Sequence, residues 1–176
     1  MRTRDREIRF EFQKQALQIR VQMTESGSLI DQRAQSTDPW TPVTGKARLQ
    51  RILDSDAFYE DLGMDFLRWS DVRPLGLDSI KTLKAWAYEA RPPVLSNYAK
   101  TQYWISSEYL AVLRVDAFNQ KNQVVKRVEV NGVMRVGKTN AYTIKEMLIA
   151  TMIPGRDLSS SRTYIEIRKA EPGSGL

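Results

Sequence analysis

From Lys84 to Lys169 apolar and polar positions alternate with period two. Ala85–Glu89, Tyr103–Ile105, Leu110–Phe118, Val124–Val130, Tyr142–Ala150 and Arg162–Arg168 all alternate, with β-branched or aromatic residues on one side. Between them lie the hairpin signals Asn119-Gln120-Lys121-Asn122, Asn131-Gly132 and Gly137-Lys138-Thr139-Asn140. Consecutive strands on short turns pair antiparallel, so this half predicts a meander that curls. The same alternation opens the chain. Ile8, Phe10 and Phe12 predict one strand, and Leu17, Ile19, Val21 and Met23 a second, with the turn at Gln13-Lys14-Gln15. Glu25–Ser28 predicts a turn into a short strand at Leu29–Arg33.

The middle breaks this rhythm. Ser36–Pro42 reads as a loop because Pro39 and Pro42 block regular structure. Trp40 between them reads either as a plug closing one end of the core or as a lid residue over a cavity. Gly45–Leu53 is a weak amphipathic helix, with Leu49, Ile52 and Leu53 on one side. Ser55 or Asp56 can cap a short helix through Tyr59–Leu62, and Met64–Trp69 continues as another turn after a break at Gly63. Asp71–Leu77 reads as a loop and Asp78–Thr82 as a turn. The predicted order is three strands, a short helical middle, then six strands. They form a mainly β (α+β) domain over residues 1–170, with residues 171–176 as a flexible tail.

Composition narrows the chemistry. The chain has no cysteine and no histidine, so thiolate nucleophiles, disulfides and Ser-His or Cys-His pairs are excluded, and zinc chemistry is not expected. The net charge of +6 is scattered along strands, where it suits solvated faces or an anionic membrane surface better than nucleic acid. No apolar run approaches the roughly 20 residues that cross a bilayer as a helix. The charged start Met1–Glu7 carries no visible signal peptide, and its abruptness suits a chain whose numbering begins inside a longer precursor.

Two chemical motifs fail on context. Gly132–Thr139 fits the spacing of a phosphate loop but leads into a strand rather than a helix, so it reads as a hairpin. Glu60 and Asp61 are adjacent on a helix and point apart, so they read as cap and surface groups. No catalytic residue, metal site or cofactor is expected.

In order along the chain, several segments resemble the LolA-like family of outer-membrane lipoprotein-sorting proteins. They are Asp54–Leu62 with its Tyr-Glu-Asp-Leu turn, Ala85–Ala90, Tyr98–Ile105 with Tyr-Ala-Lys and Trp-Ile, Leu113–Phe118, Val124–Val128, Tyr142–Met147 and Arg162–Ile167. The likeness covers residues 50–169 well and the first 50 loosely. The family's exported leader, long first helix and further strands are not expected within residues 1–176. The resemblance implies a strongly curved antiparallel sheet, an incomplete β-barrel with short helices covering its concave face. It also implies a periplasmic, non-enzymatic carrier of lipid or lipoprotein acyl chains. An inner-membrane release complex and an outer-membrane acceptor would be its partners, with peripheral membrane contact at most.

On that expectation the cavity candidates are Phe58, Leu62, Phe66 and Trp69 from the cover, and Trp86, Trp104, Leu113, Val115, Met147, Ile149 and Ile165 from the wall. Each buried methylene contributes about 0.8 kcal/mol, so a preformed apolar wall binds an acyl chain usefully. The same residues also describe a closed core. Three alternatives stay open: a lipid-sensing regulator, a small-ligand enzyme on the same fold, and a protein-binding module that uses an exposed sheet edge.

Overall fold

The computed structural model describes residues 6–12, 15–93, 95–140 and 142–168. The predicted tail at 171–176 and part of the turn at Gln13-Lys14-Gln15 lie outside them. The strands are β1 (Arg6–Phe12), β2 (Leu17–Thr24), β3 (Gly27–Arg33), β4 (Thr41–Pro42), β5 (Asp71–Ile80), β6 (Leu83–Arg91), β7 (Lys100–Ser106), β8 (Val112–Phe118), β9 (Val124–Arg135), β10 (Tyr142–Met152) and β11 (Ser159–Glu166). Between β4 and β5 come a 3-10 turn at Gly45–Leu49, the single-turn helix α1 (Tyr59–Leu62) and a 3-10 turn at Asp65–Arg68. The strands form two antiparallel sheets, β1-β2-β3-β4 and β11-β10-β9-β8-β7-β6-β5. Neither closes on itself.

The chain divides into two compact units. The first holds residues 1–53 and 57–68, the second 54–56 and 69–176. In the first unit, alternation puts Phe10, Ile19, Val21 and Ile30 on one buried face of the four-stranded sheet. The helical segment lies on this face. Tyr59 Oη donates to Gln32 Oε1 at 2.5 Å, and Ser28 Oγ donates to Asp65 Oδ2 at 2.9 Å. Arg48 ties the latter pair together, donating to Asp65 at 2.7 Å and to Ser28 Oγ at 2.8 Å. Gly63 packs so tightly here that an added Cβ would sit 2.1 Å from Ser28 Oγ.

The opposite face of this sheet is polar. Trp40 lies there between two guanidiniums, with Arg20 4.7 Å and Arg33 4.2 Å from its ring centre. It is held by cations on a strand surface, whereas the sequence offers only a core plug or a lid.

In the second unit all neighbouring strands pair antiparallel in chain order, as the alternation predicts. Local expectations change here, and at α1 in the first unit. Asp71–Leu77 is not a loop but most of β5, an edge strand, which runs on to Ile80 so that only Lys81-Thr82 of the predicted turn Asp78–Thr82 turns. It was illegible because an edge strand bears exposed side chains on both faces and here contains Pro74 and Gly76, which signal a turn. A register shift between Pro74 and Gly76 accommodates the proline. Asn131-Gly132 is not a turn either, because β9 runs through it: Gly132 pairs with Glu146, and irregularities on either side leave Asn131 and Lys145 out of the register. Finally, α1 is capped by the Asp61 carboxylate, which accepts the Phe58 backbone N–H at 2.7 Å. Neither predicted cap, Ser55 or Asp56, holds the N-cap position, which is Phe58, and Asp56 is engaged elsewhere.

Candidate functional site

Register sorts the side chains of the seven-stranded sheet, because directly paired residues share a face. One continuous row crosses six strands: Tyr88, Tyr103, Val115, Val128, Ile149 and Thr163. The Tyr88 and Tyr103 rings stack at 5.4 Å between centroids. Burial raises the Tyr103 hydroxyl above its ordinary pKa. Beside this row, on the same face, run Leu77, Trp86, Ile105 and Val112 across β5–β8. Val130, Met147 and Ile165 extend the face across β9–β11. This is the apolar face of the sheet.

Its two ends differ. Tyr103, Val115, Met147 and Ile149 are buried. Leu77 is 58% exposed and Trp86 47% exposed, although the two are directly paired. The face therefore opens to solvent at one corner and is continuous from there into covered apolar surface.

A polar margin bounds the other side. Asp56 is buried and accepts hydroxyl hydrogen bonds from Thr151 at 2.5 Å, from Thr163 at 2.9 Å and from Ser161. Thr163 Oγ1 also accepts the Asp56 backbone N–H at 2.7 Å. Lys126 is buried in the same margin, with its ammonium 5.7 Å from the Tyr98 ring centre. Thr101 carries a buried hydroxyl with no hydrogen-bond partner.

The opposite face carries charge. Glu89 accepts from Lys100 at 2.7 Å, Gln102 at 3.2 Å and Arg73 at 3.2 Å. The Lys100 bond holds its carboxyl below the usual glutamate value, against desolvation. Asp116 lies between Arg114 and Arg127. Burial pushes its carboxyl up to about 6, with Arg114 pulling the other way. Trp104 Nε1 donates to Asp78 at 2.8 Å, a bond that lowers the Asp78 pKa. Glu89 and Asp116 are held by protein cations, and all three carboxylates face away from the apolar rows.

The structure divides the expected cavity residues. Trp86, Val115, Met147, Ile149 and Ile165 share the apolar face. Trp104 is on the other face, packed with Ala85, Ala87 and Leu113. Leu113 leaves the side of Val115 because a bulge pairs Trp104 with Arg114 but Ile105 with Val112, making Leu113 the extra residue. Strict period two cannot foresee that. Trp69 is half-buried just before β5. Phe58, Leu62 and Phe66 belong to the first unit, where Leu62 and Phe66 are buried.

Sequence reasoning missed Tyr88 with Tyr103, Leu77 and the Asp56 cluster. The last had a signal: Ser159, Ser161 and Thr163 put hydroxyls at every second position of a strand. Elsewhere, a depression of about 160 Å³ lined by Glu11, Phe12, Ala16, Leu17, Gln18 and Ala34 is too small for a lipid. Among the described residues, no group of acidic side chains is arranged to hold a metal ion.

Solved structures share this architecture. A DUF1329-family protein from Desulfovibrio piger aligns with a TM-score of 0.63 at 16% identity, over 77% of this chain and 58% of that one. A putative outer-membrane lipoprotein-sorting protein domain from Vibrio parahaemolyticus aligns with a TM-score of 0.62 at 11% identity, over 98% and 78%. A LolA superfamily protein from Nitrosomonas europaea aligns at 0.57 and 12% identity, over 84% and 73%. The chain thus spans 58% of the length of the first of these. No curated protein matches the sequence. A family model described only as that of an uncharacterized protein matches residues 35–176. The chain belongs to that family, and its fold is the LolA-like one that the sequence resembles.

Proposed function

We propose that the protein is a non-enzymatic carrier that takes an acyl chain onto the apolar face of its seven-stranded sheet. The observation that carries this is the corner where Leu77 and Trp86 stand exposed beside Ile105, continuous with the buried row through Tyr103 and Val115. Leaving such side chains in water forgoes about 25 cal/mol for each Å² of apolar surface, which an apolar guest recovers. Glu89 and Asp116 are tied to cations on the other face and Asp56 is engaged by three hydroxyls, which disfavours the enzyme reading. The fold's likeness to a lipoprotein-sorting domain supports a lipid-bearing cargo, a periplasmic location and membrane-associated donor and acceptor partners.

The ligand set proposed from this face is Trp86, Val115, Met147, Ile149 and Ile165, with Leu77 and Ile105 at the entrance. The test is displacement of a fluorescent fatty acid or lipopeptide from the purified protein in bilayer-free buffer. Saturable uptake is expected, weakened at least tenfold by Trp86→Ser. Absence of saturable uptake, or uptake indifferent to Trp86→Ser and Leu77→Ser, refutes the proposal. A second reading, a protein-binding module, is favoured by the exposed edge strand β5. Pro74 and its bulge guard that edge, and a mass independent of concentration would dismiss it.

A further inference from the structure

Three turns leave the seven-stranded sheet at one end: β5–β6 at Lys81-Thr82, β7–β8 at Ser107–Ala111 and β9–β10 at Val136–Asn140. The antiparallel order places them side by side, and two contacts show it. Ser107 N–H donates to the Lys84 carbonyl at 3.0 Å, and Lys81 Nζ reaches Asn131 Oδ1 on β9 at 3.5 Å. This end exposes apolar and aromatic side chains well beyond need: Leu110 at 80%, Tyr109 and Tyr142 at over half, and Val133 at 52%. Lys81, Lys84, Arg135, Lys138 and Lys145 lie at this end, against Asp78, Glu108, Glu146 and Glu166.

At the opposite end the exposed large apolar residues among those described are Val72, Leu95 and Leu158, with no exposed tyrosine or tryptophan. The two ends therefore differ in chemistry. A tyrosine and a leucine on the β7–β8 turn, a second tyrosine at the start of β10 and lysines beside them match the water–hydrocarbon boundary of an anionic bilayer. Amphipathic rings sit at headgroup level, aliphatic tips reach the acyl boundary, and ammonium groups meet lipid phosphates. A protein partner would ask for a flat, shaped surface, whereas a single projecting apolar tip beside turns that carry lysines asks only for a deformable one.

We propose that this three-turn end is a peripheral docking edge for anionic membrane surfaces, with Tyr109 and Leu110 as the inserting tip and Lys81, Lys84 and Lys138 as the electrostatic contacts. It stands independently of the carrier reading, because none of these residues is in the proposed ligand set, although Lys84 shares that set's face of the sheet. A carrier that uses it would present its Leu77–Trp86 corner close to the bilayer, since Lys84 precedes Trp86 by two residues on the same side of β6.

The experiment is co-sedimentation of the full chain with vesicles of phosphatidylcholine alone or mixed with phosphatidylglycerol. Binding to the mixed vesicles is expected, falling as salt rises. Each of Lys81→Gln, Lys84→Gln and Lys138→Gln should weaken it about fivefold. Leu110→Ser with Tyr109→Ser should abolish it, while Leu158→Ser at the opposite end leaves it intact. All these positions are on exposed turns or strand ends, and an unchanged circular dichroism spectrum confirms folding. The proposal is overturned by no binding, by equal binding to neutral vesicles, or by binding that Leu158→Ser disturbs as much as the tip substitutions do. Fatty-acid uptake in bilayer-free buffer should survive the tip substitutions, which separates failure here from failure of the carrier reading.

Discussion

Replacing Asp56 with alanine tests how the polar margin of the apolar face is held. The carboxylate accepts three hydroxyl hydrogen bonds, from Thr151, Ser161 and Thr163, and the Asp56 backbone donates a fourth bond to Thr163. A hydrogen bond to a charged acceptor is worth about 1.5–3 kcal/mol, and a buried hydroxyl stripped of its partner costs about 1–3 kcal/mol. These contributions are not additive here. Ser161 is exposed and turns to water, while Thr151 and Thr163 are half-buried. The expected loss for Asp56→Ala is therefore about 3 kcal/mol, nearer two full bonds than three. Asp56→Asn keeps the shape and one acceptor, and rotating hydroxyls can donate or accept, so its cost should be about 1 kcal/mol.

The assay is urea unfolding followed by tryptophan fluorescence in a Trp40→Phe background. Trp69, Trp86 and Trp104 then report on the seven-stranded unit alone. In a domain of this size about 3 kcal/mol corresponds to a Tm drop of roughly 6–12 °C. A loss below about 1 kcal/mol for Asp56→Ala, or equal losses for alanine and asparagine, would show that the three hydroxyls do not depend on the carboxylate.

Other substitutions probe separate parts. Gly63→Ala drives a methyl to 2.1 Å from Ser28 Oγ, and should cost about 2–3 kcal/mol, with Ser28→Gly in the same chain restoring part of it; wild-type stability refutes the close approach. Thr101→Val removes a buried hydroxyl that has no partner while keeping its shape, so the midpoint in urea should rise by about 1 kcal/mol, and a fall would reveal an unseen partner. Glu89 has its pKa lowered in the folded state, chiefly by Lys100. Its stabilisation is therefore present above the unfolded value and lost as pH falls toward and through the folded one. Glu89→Gln should flatten the acid limb of a stability–pH profile below about pH 4.5, and an unchanged limb would place the acid sensitivity elsewhere.

Much of the architecture is local and therefore legible. Period-two alternation gives β6 to β11, because a strand half buried in a sheet needs one apolar side, and short turns leave only antiparallel pairing. Absence of histidine and cysteine removes whole classes of chemistry by composition alone. The Tyr59–Leu62 helix and the break at Gly63 were also readable, though the close approach of Gly63 to Ser28 was not.

Tertiary structure decided what local pattern cannot carry. An edge strand has no buried face to impose alternation, so β5 shows itself only when β6 pairs with it. A one-residue bulge reverses facing, so Leu113 packs with Trp104 although its spacing places it beside Val115. Trp86 and Trp104 are alike in sequence, both aromatic positions on adjacent strands. Pairing Trp86 with Leu77 exposes one at an open apolar corner, while Asp78 and Arg114 hold the other on a charged face. The sequence alone determined that this sheet has an apolar side; which residues stand on it, and where it opens to solvent, depended on register, a property of strand pairs rather than of any one strand.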